Sequence, residues 1–351
     1  MAVLPKLMRR HEVQILAGGD AYHFLAPEYP VQRIPTMRYY YGKRSQRATF
    51  QTFIRNTPIV LDILLVGPAF ESVCESIEGF RPDVIVSDAE VYAHRAARRL
   101  GIPRIGFDHY GVLVYCRPDG PWMDRLNTRF ESLSYRRMMG RPERVIVSSF
   151  YPAKPRGDGV EVIPPILRAE VRRTKPTRGD HLLVYLNQGE HQYTPRLERT
   201  LRSYDGPVRI YGLRQRPPKG NLHYHPLSNL PFVEDLASCT AVVSSAGNQL
   251  VGEAIHFGKP MLVIPERTVE QRLNAHAIEE LGVGKKTTPR RISPRVLAEF
   301  LDRGDWYRDQ IARRVGDGLD PAVAAIDRYV TELAAPSRPA AKEAKPRHEM
   351  A

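Results

Sequence analysis

Cysteine is scarce in this chain. Three residues, Cys74, Cys116 and Cys239, stand far apart among 351, an odd count with no Cys-x-x-Cys pair. That spacing argues against a disulfide framework or a zinc ribbon, and a reducing, cytoplasmic compartment is expected. Long apolar runs are missing too. The longest, Ile59 to Phe70, is interrupted by Asp62 and Pro68 and falls short of the roughly 20 residues that cross a bilayer. Met1 to Arg10 carries charge but neither an apolar core nor a small-residue cleavage site, so no signal peptide is expected. Acidic residues are in deficit, 39 against 52 lysines and arginines, for a net charge of +13. Such a balance suits an acidic partner, whether nucleic acid, anionic lipid or a phosphorylated metabolite, and does not choose among them. Residues 1–150 hold 21 basic and 15 acidic side chains and the remainder 31 and 24, so neither half is a dedicated basic domain.

What is present is ordinary globular material, 42% apolar and 26% charged, at a length that suggests two domains. Short β-branched runs alternate with helical patterns, the signature of parallel strands joined by crossover helices. The strand candidates are Val13 to Ala17, Val84 to Ser87, Arg104 to Phe107 and Arg144 to Ser148, then Leu182 to Leu186, Val208 to Tyr211, Ala241 to Ser245 and Met261 to Ile264. Each half therefore reads as its own doubly wound α/β sheet. Tyr151 to Asp180, with five prolines, reads as a linker or long connection. The expected division is 1–165, 166–334, and a disordered tail over 335–351 with three prolines and no apolar period.

In open α/β sheets ligands bind beyond the carboxyl ends of strands. After Ala241 to Ser245 comes Ser245-Ala246-Gly247-Asn248, then a helix with Leu250, Val251, Ala254 and Ile255 on one face. A small-residue turn opening a helix suits a phosphate, through free amides and the helix dipole, although small residues serve packing there equally well. Glu253 follows about two turns in, and Glu266, Glu270, Gln271 and Asn274 follow the next strand. Such donors and acceptors are what sugar hydroxyls require.

The run Ser244 to Ala254, then Gly258-Lys259-Pro260-Met261-Leu262-Val263-Ile264-Pro265, then Glu270-Gln271-x-x-Asn274-Ala275 resembles the donor site of GT-B glycosyltransferases. Within them it is similar to the UDP-glycosyltransferases and the peptidoglycan enzyme that adds N-acetylglucosamine to lipid I. The resemblance implies two Rossmann-like domains facing across a cleft, an acceptor domain first and a nucleotide-sugar domain second. It implies that Glu253 binds ribose hydroxyls, that the amides around Ser245, Ala246, Gly247 and Asn248 hold the diphosphate, and that Glu270 and Gln271 read the donor sugar. Asn187, Gln188 and Gly189 would lie across the same cleft. The pattern departs at Ser245, where many relatives have histidine, and at Leu250, where many have serine or threonine. Asn274 reads as a structural cap or loop bond. Without an Asp-x-Asp pair, and with His223 and His225 lacking nearby acidic or cysteine ligands, no metal and no cofactor are expected; the nucleotide sugar is a co-substrate.

In the first half, Asp88 and His109 at strand ends are the candidates for the base that takes the acceptor hydroxyl's proton, with a cap or loop bond as the alternative for each. From Tyr29 to Leu61 no acidic residue occurs, while Arg38, Tyr39, Tyr40, Lys43 and Arg44 interleave basic and aromatic side chains. That mixture suits an anionic membrane or a phosphorylated lipid acceptor, and single-stranded nucleic acid less, for want of any accompanying motif; an ordinary solvated loop is the commoner outcome for a charge run, with its share reduced by the aromatics. By the resemblance, Met1 to Val13 looks like the end of a first helix and a second strand. The family's first strand and its Gly-x-Gly-His turn are absent, so an upstream start is expected for the natural protein. The expected activity is metal-independent, inverting transfer of a sugar from a UDP-linked donor to a hydroxyl. The alternatives are a nucleotide-sugar epimerase of the same fold and a binding protein without turnover. The expected place is the cytoplasm or, peripherally, the inner membrane face.

Overall fold

A computed structural model describes residues 2–37, 49–117, 119–314 and 316–334, with the backbone alone for 49–53. Arg38, Tyr39, Tyr40, Lys43, Arg44 and the 335–351 tail lie outside the described residues.

The strands are β1 (Ile15–Ala17), β2 (Val31–Arg33), β3 (Ile85–Ser87), β4 (Arg104–Asp108), β5 (Cys116–Arg117), β6 (Arg144–Ser148), β7 (Lys154–Pro155) and β8 (Val160–Ile163) in the first half. The second half holds β9 (Leu182–Tyr185), β10 (Val208–Tyr211), β11 (Leu222–Tyr224), β12 (Ala241–Ser244), β13 (Met261–Val263) and β14 (Gly284–Lys286). The second-half sheet is fully parallel in the order β11-β10-β9-β12-β13-β14. Helices cover both of its faces, which is why β12 and β13 are buried throughout and read as unbroken apolar runs. The chain winds outward from β9 to β11, then returns to β12 and winds the other way. The crevice where ligands bind such sheets therefore opens between β9 and β12.

The first half is less regular than expected. Its strands form a four-stranded parallel sheet β3-β4-β6-β8, a separate parallel pair β1-β2 and an antiparallel pair β5-β7. No ladder joins β1 to β3 among the described residues. Helix Pro68–Phe80 spans the break, because Leu16 and Ile85 pack into the same cluster as its Phe70, Val73 and Ile77.

One further expectation is refined and one corrected. Tyr151 to Asp180, read as a linker or long connection, is a connection with structure of its own: it supplies β7, β8 and the helix Ala169–Arg173, whose Val171 is buried in the second-half core with Leu167. Its prolines flank short elements instead of dissolving them. The last helix, Leu319–Ala334, was assigned to the second domain yet returns to the first. Leu319, Ala322, Val323, Ile326 and Tyr329, at helical spacing, pack with Ile105, Ile146 and Ile163. Where the two crossings meet, the Gly318 amide donates to the Pro165 carbonyl at 2.9 Å. A Cβ at Gly318 would stand 2.0 Å from the Pro164 oxygen, so a side chain is excluded there. No single helix among the described residues is long and apolar enough to cross a membrane.

Removing part of the returning helix's apolar face should weaken the first-half core. Ile326→Ala should cost about 2–5 kcal/mol, the usual range for emptying a buried aliphatic site, in urea unfolding; a loss under about 1 kcal/mol would place this helix elsewhere.

Candidate active site

Parallel register gathers the strand ends. Ser244 on β12 lies beside Tyr185 on β9 and Val263 on β13, so the segments after them meet at one end of the sheet. Helix Asn248–His256 starts there behind Gly247, with no side chain capping its first amides. The N–H groups of a helix's first turn have no intrahelical acceptor, and the space beside Gly247 is open. Further along, a Cβ at Gly252 would come within 2.7 Å of Pro165. Glycine there lets the interdomain crossing lie directly on the helix.

Glu253 is 1% exposed. Arg168 grips both its oxygens, Nε to Oε1 at 2.8 Å and Nη2 to Oε2 at 2.7 Å, and Gln249 donates to Oε1 at 2.8 Å. Burial disfavours the Arg168 charge, but Glu253 more than offsets this and holds the guanidinium above its ordinary pKa. The group at this position that keeps contact with solvent is thus Arg168, 35% exposed. Arg168 was missed in the sequence because it sits 85 positions from its partner, in a proline-bracketed stretch without periodicity.

Across the crevice, Asn187 and Gln188 donate to the Glu266 carboxylate at 3.2 and 2.5 Å, and Gln192 does so at 3.3 Å. Gly189 opens a short 3-10 turn there. Gln271 is buried, its Oε1 accepting the Glu266 amide at 2.8 Å. Ser245 and Ala246 are buried at the turn. Asn274 is fully buried and donates to the Ala246 carbonyl at 2.9 Å, the structural part expected of it.

The first half meets this arrangement through His109. Its Nδ1 lies 2.6 Å from the Ser148 carbonyl; a carbonyl only accepts, so Nδ1 carries the proton and Nε2 keeps its lone pair. Nε2 faces the second half, 3.4 Å from Asn274 Nδ2 and 3.6 Å from Glu270 Oε1. Burial lowers the His109 pKa, with Glu270 opposing, which favours the neutral ring. Asn248 reaches from the donor side to the same segment, accepting from the Phe150 amide at 3.2 Å and donating to the Ser148 carbonyl at 3.4 Å.

Beside His109, Asp108 accepts from the Gly111 amide at 2.6 Å and from Tyr135 at 2.9 Å; burial and then the Asp88 charge push it up to about 6. Asp88 keeps a solvent-facing edge at the end of β3, although surrounding protein strips enough water from it to raise its pKa. The structure gives it no hydrogen bond to His109. Ala89 follows at φ 51°, a strained conformation of the kind found at functional sites. Glu90 then caps helix Val91–Leu100, and burial raises it to about 7 against the pull of the Ala93, Tyr92 and Val91 amides. Among the described residues no three His, Cys, Asp or Glu side chains gather to hold a metal ion.

Residues 1–304 match the family described as Glycosyl transferase family 1. The chain belongs to that family. This glycosyltransferase is 24% identical to an uncharacterized glycosyltransferase of Methanosarcina mazei, over 88% of each chain. Its fold is shared with MurG of Acinetobacter baumannii (17% identity, TM-score 0.57, covering 93% of this chain and 94% of that one). It is shared also with UGT2 of Phytolacca americana, solved with UDP-2-fluoro-glucose and pterostilbene (14% identity, TM-score 0.63, 94% of each). The GT-B architecture implied by the donor-site resemblance is thus present.

Arg168→Met should strand the buried Glu253 charge and lower stability by about 3 kcal/mol, and adding Glu253→Gln should recover part of that loss, because no charge is then left unpaired. Urea titration of the single and double variants checks this. Glu90 binds more protons folded than unfolded between its ordinary 4.5 and about 7, so its contribution to stability falls as pH rises through that window. Glu90→Gln should make the thermal midpoint fall less steeply from about pH 5 to about pH 8 than in the wild type.

Proposed function

We propose that this glycosyltransferase moves a sugar from a UDP-linked donor to an acceptor hydroxyl by direct displacement, with inversion and without a metal ion. The observation that carries the reading is the placing of His109 Nε2, with Nδ1 turned to the Ser148 carbonyl, against Glu270 and Asn274, at the seam between the first half and a second half that holds an uncapped helix start. The acceptor hydroxyl gives its proton to Nε2 as its oxygen bonds to the sugar's anomeric carbon. The bond from that carbon to the diphosphate breaks, and the charge that develops on UDP falls to the free amides of Asn248–His256 and to Arg168. Glu270 steadies the imidazolium. Glu266, held by three amides, is ready for donor hydroxyls at the other wall. Support for UDP comes from the donor-site motif and from UGT2, solved with a UDP-sugar.

His109→Ala should lower turnover by about 10²–10⁴-fold, the range for losing a positioned base, while UDP still raises the melting temperature as it does for the wild type. Glu253→Ala should abolish that rise. In the wild type, UDP should be released only when an acceptor alcohol is present, turnover should survive EDTA, and its acid limb should lie below the ordinary histidine value of 6.5. UDP release without acceptor, or no thermal response to any nucleotide sugar, overturns the reading.

A further inference from the structure

Helix Trp122–Met139 is built inside out. Its inward face is polar: Thr128 and Ser132 are buried, Asp124 pairs with Arg272 at 2.7 Å, Glu131 accepts from Tyr110 at 2.5 Å, and Tyr135 donates to Asp108 at 2.9 Å. Its outward face carries Trp122, Met123, Leu126, Phe130 and Leu133, each between 50% and 75% exposed. At about 100° per residue these five occupy one arc of about 100° along the helix. A surface helix normally turns such a stripe toward the core, and a contiguous apolar patch left in solvent marks an interaction surface.

The charge beside the stripe has one sign. Arg125, Arg129 and Arg136 line one edge and Arg137 stands at its end, all exposed. Arg136, Arg129 and Arg117 lie close enough to Arg156 that, after burial, their repulsion helps to depress it. Among the described residues none of these arginines is paired with a carboxylate, and the helix's own two, Asp124 and Glu131, are turned inward and occupied.

We propose that the outer face of Trp122–Met139 seats the enzyme on an anionic lipid surface. An apolar stripe edged by arginines lies in the headgroup layer with its side chains among the acyl chains and its cations on lipid phosphates. A nucleic acid would satisfy the arginines but leave Met123, Leu126 and Leu133 against water. A second copy, joined symmetrically, would add another set of unpaired arginines to the same interface. Through its inner face the helix also holds Asp108, next to His109, and Arg272, two positions from Glu270, so the lipid would lie alongside the acceptor side of the cleft.

Co-sedimentation of the full chain with vesicles tests this without donor or acceptor, so its outcome is separate from that of the proposed transfer. The wild type should bind phosphatidylcholine vesicles containing phosphatidylglycerol, less at high salt, and bind phosphatidylcholine alone weakly. Leu126→Glu with Phe130→Glu should weaken binding about tenfold or more, since two large apolar side chains no longer enter lipid. Arg125→Gln with Arg129→Gln should weaken it and flatten its salt dependence. Unchanged circular dichroism and thermal midpoints would show that both double variants are folded. The proposal is overturned if the wild type stays in the supernatant at low salt or if the glutamate variant binds as the wild type does. It is also overturned if light scattering shows a dimer that the glutamate variant abolishes while no vesicles are bound.

Discussion

One backbone carbonyl organises the site. Ser148 O accepts from the His109 imidazole of the first half and from the Asn248 side-chain amide of the second, so a single acceptor sets the tautomer of the imidazole and its distance from helix Asn248–His256. That carbonyl stands where it does because β4 and β6 pair with Asp108 beside Val147, which brings the residues that follow, His109 and Ser148, side by side. A slip of one residue in this ladder would turn the imidazole to the opposite face of the sheet.

Burial then assigns opposite tendencies to neighbouring groups. The same loss of water that favours neutral His109 pushes the carboxyls of Asp108 and Glu90 upward. In the second half, the buried carboxylate of Glu253 is held by an arginine that arrives from the crossing between the halves. The Glu253 pocket and the crossing between the halves are therefore one construction: Pro165 lies on Gly252, Arg168 on Glu253, and Gly318 on Pro164.

Much of this was legible in order along the chain. Eight strands were placed to within a residue or two, because parallel strands covered on both faces read as short β-branched runs, and the small-residue turn before Asn248 marked the helix start. Other elements carried too little local signal. Strand β8 hides between prolines, β14 is Gly-Lys-Lys, and the apolar face of Leu319–Ala334 does not say which sheet it covers. Periodicity alone would also send the stripe of Trp122–Met139 to the core, since a hydrophobic pattern records spacing and not which side faces protein.

The sequence by itself determined the parallel α/β plan, the donor motif and the choice of His109 and Glu253 as residues to inspect, because those depend on neighbours a few positions away. Tertiary structure alone decided that Arg168 covers Glu253, that Glu270 and Asn274 face His109, and that the last helix belongs to the first sheet. These contacts join residues 85 to more than 150 positions apart, and nothing in a local pattern of side chains encodes the path by which the chain crosses between its two halves.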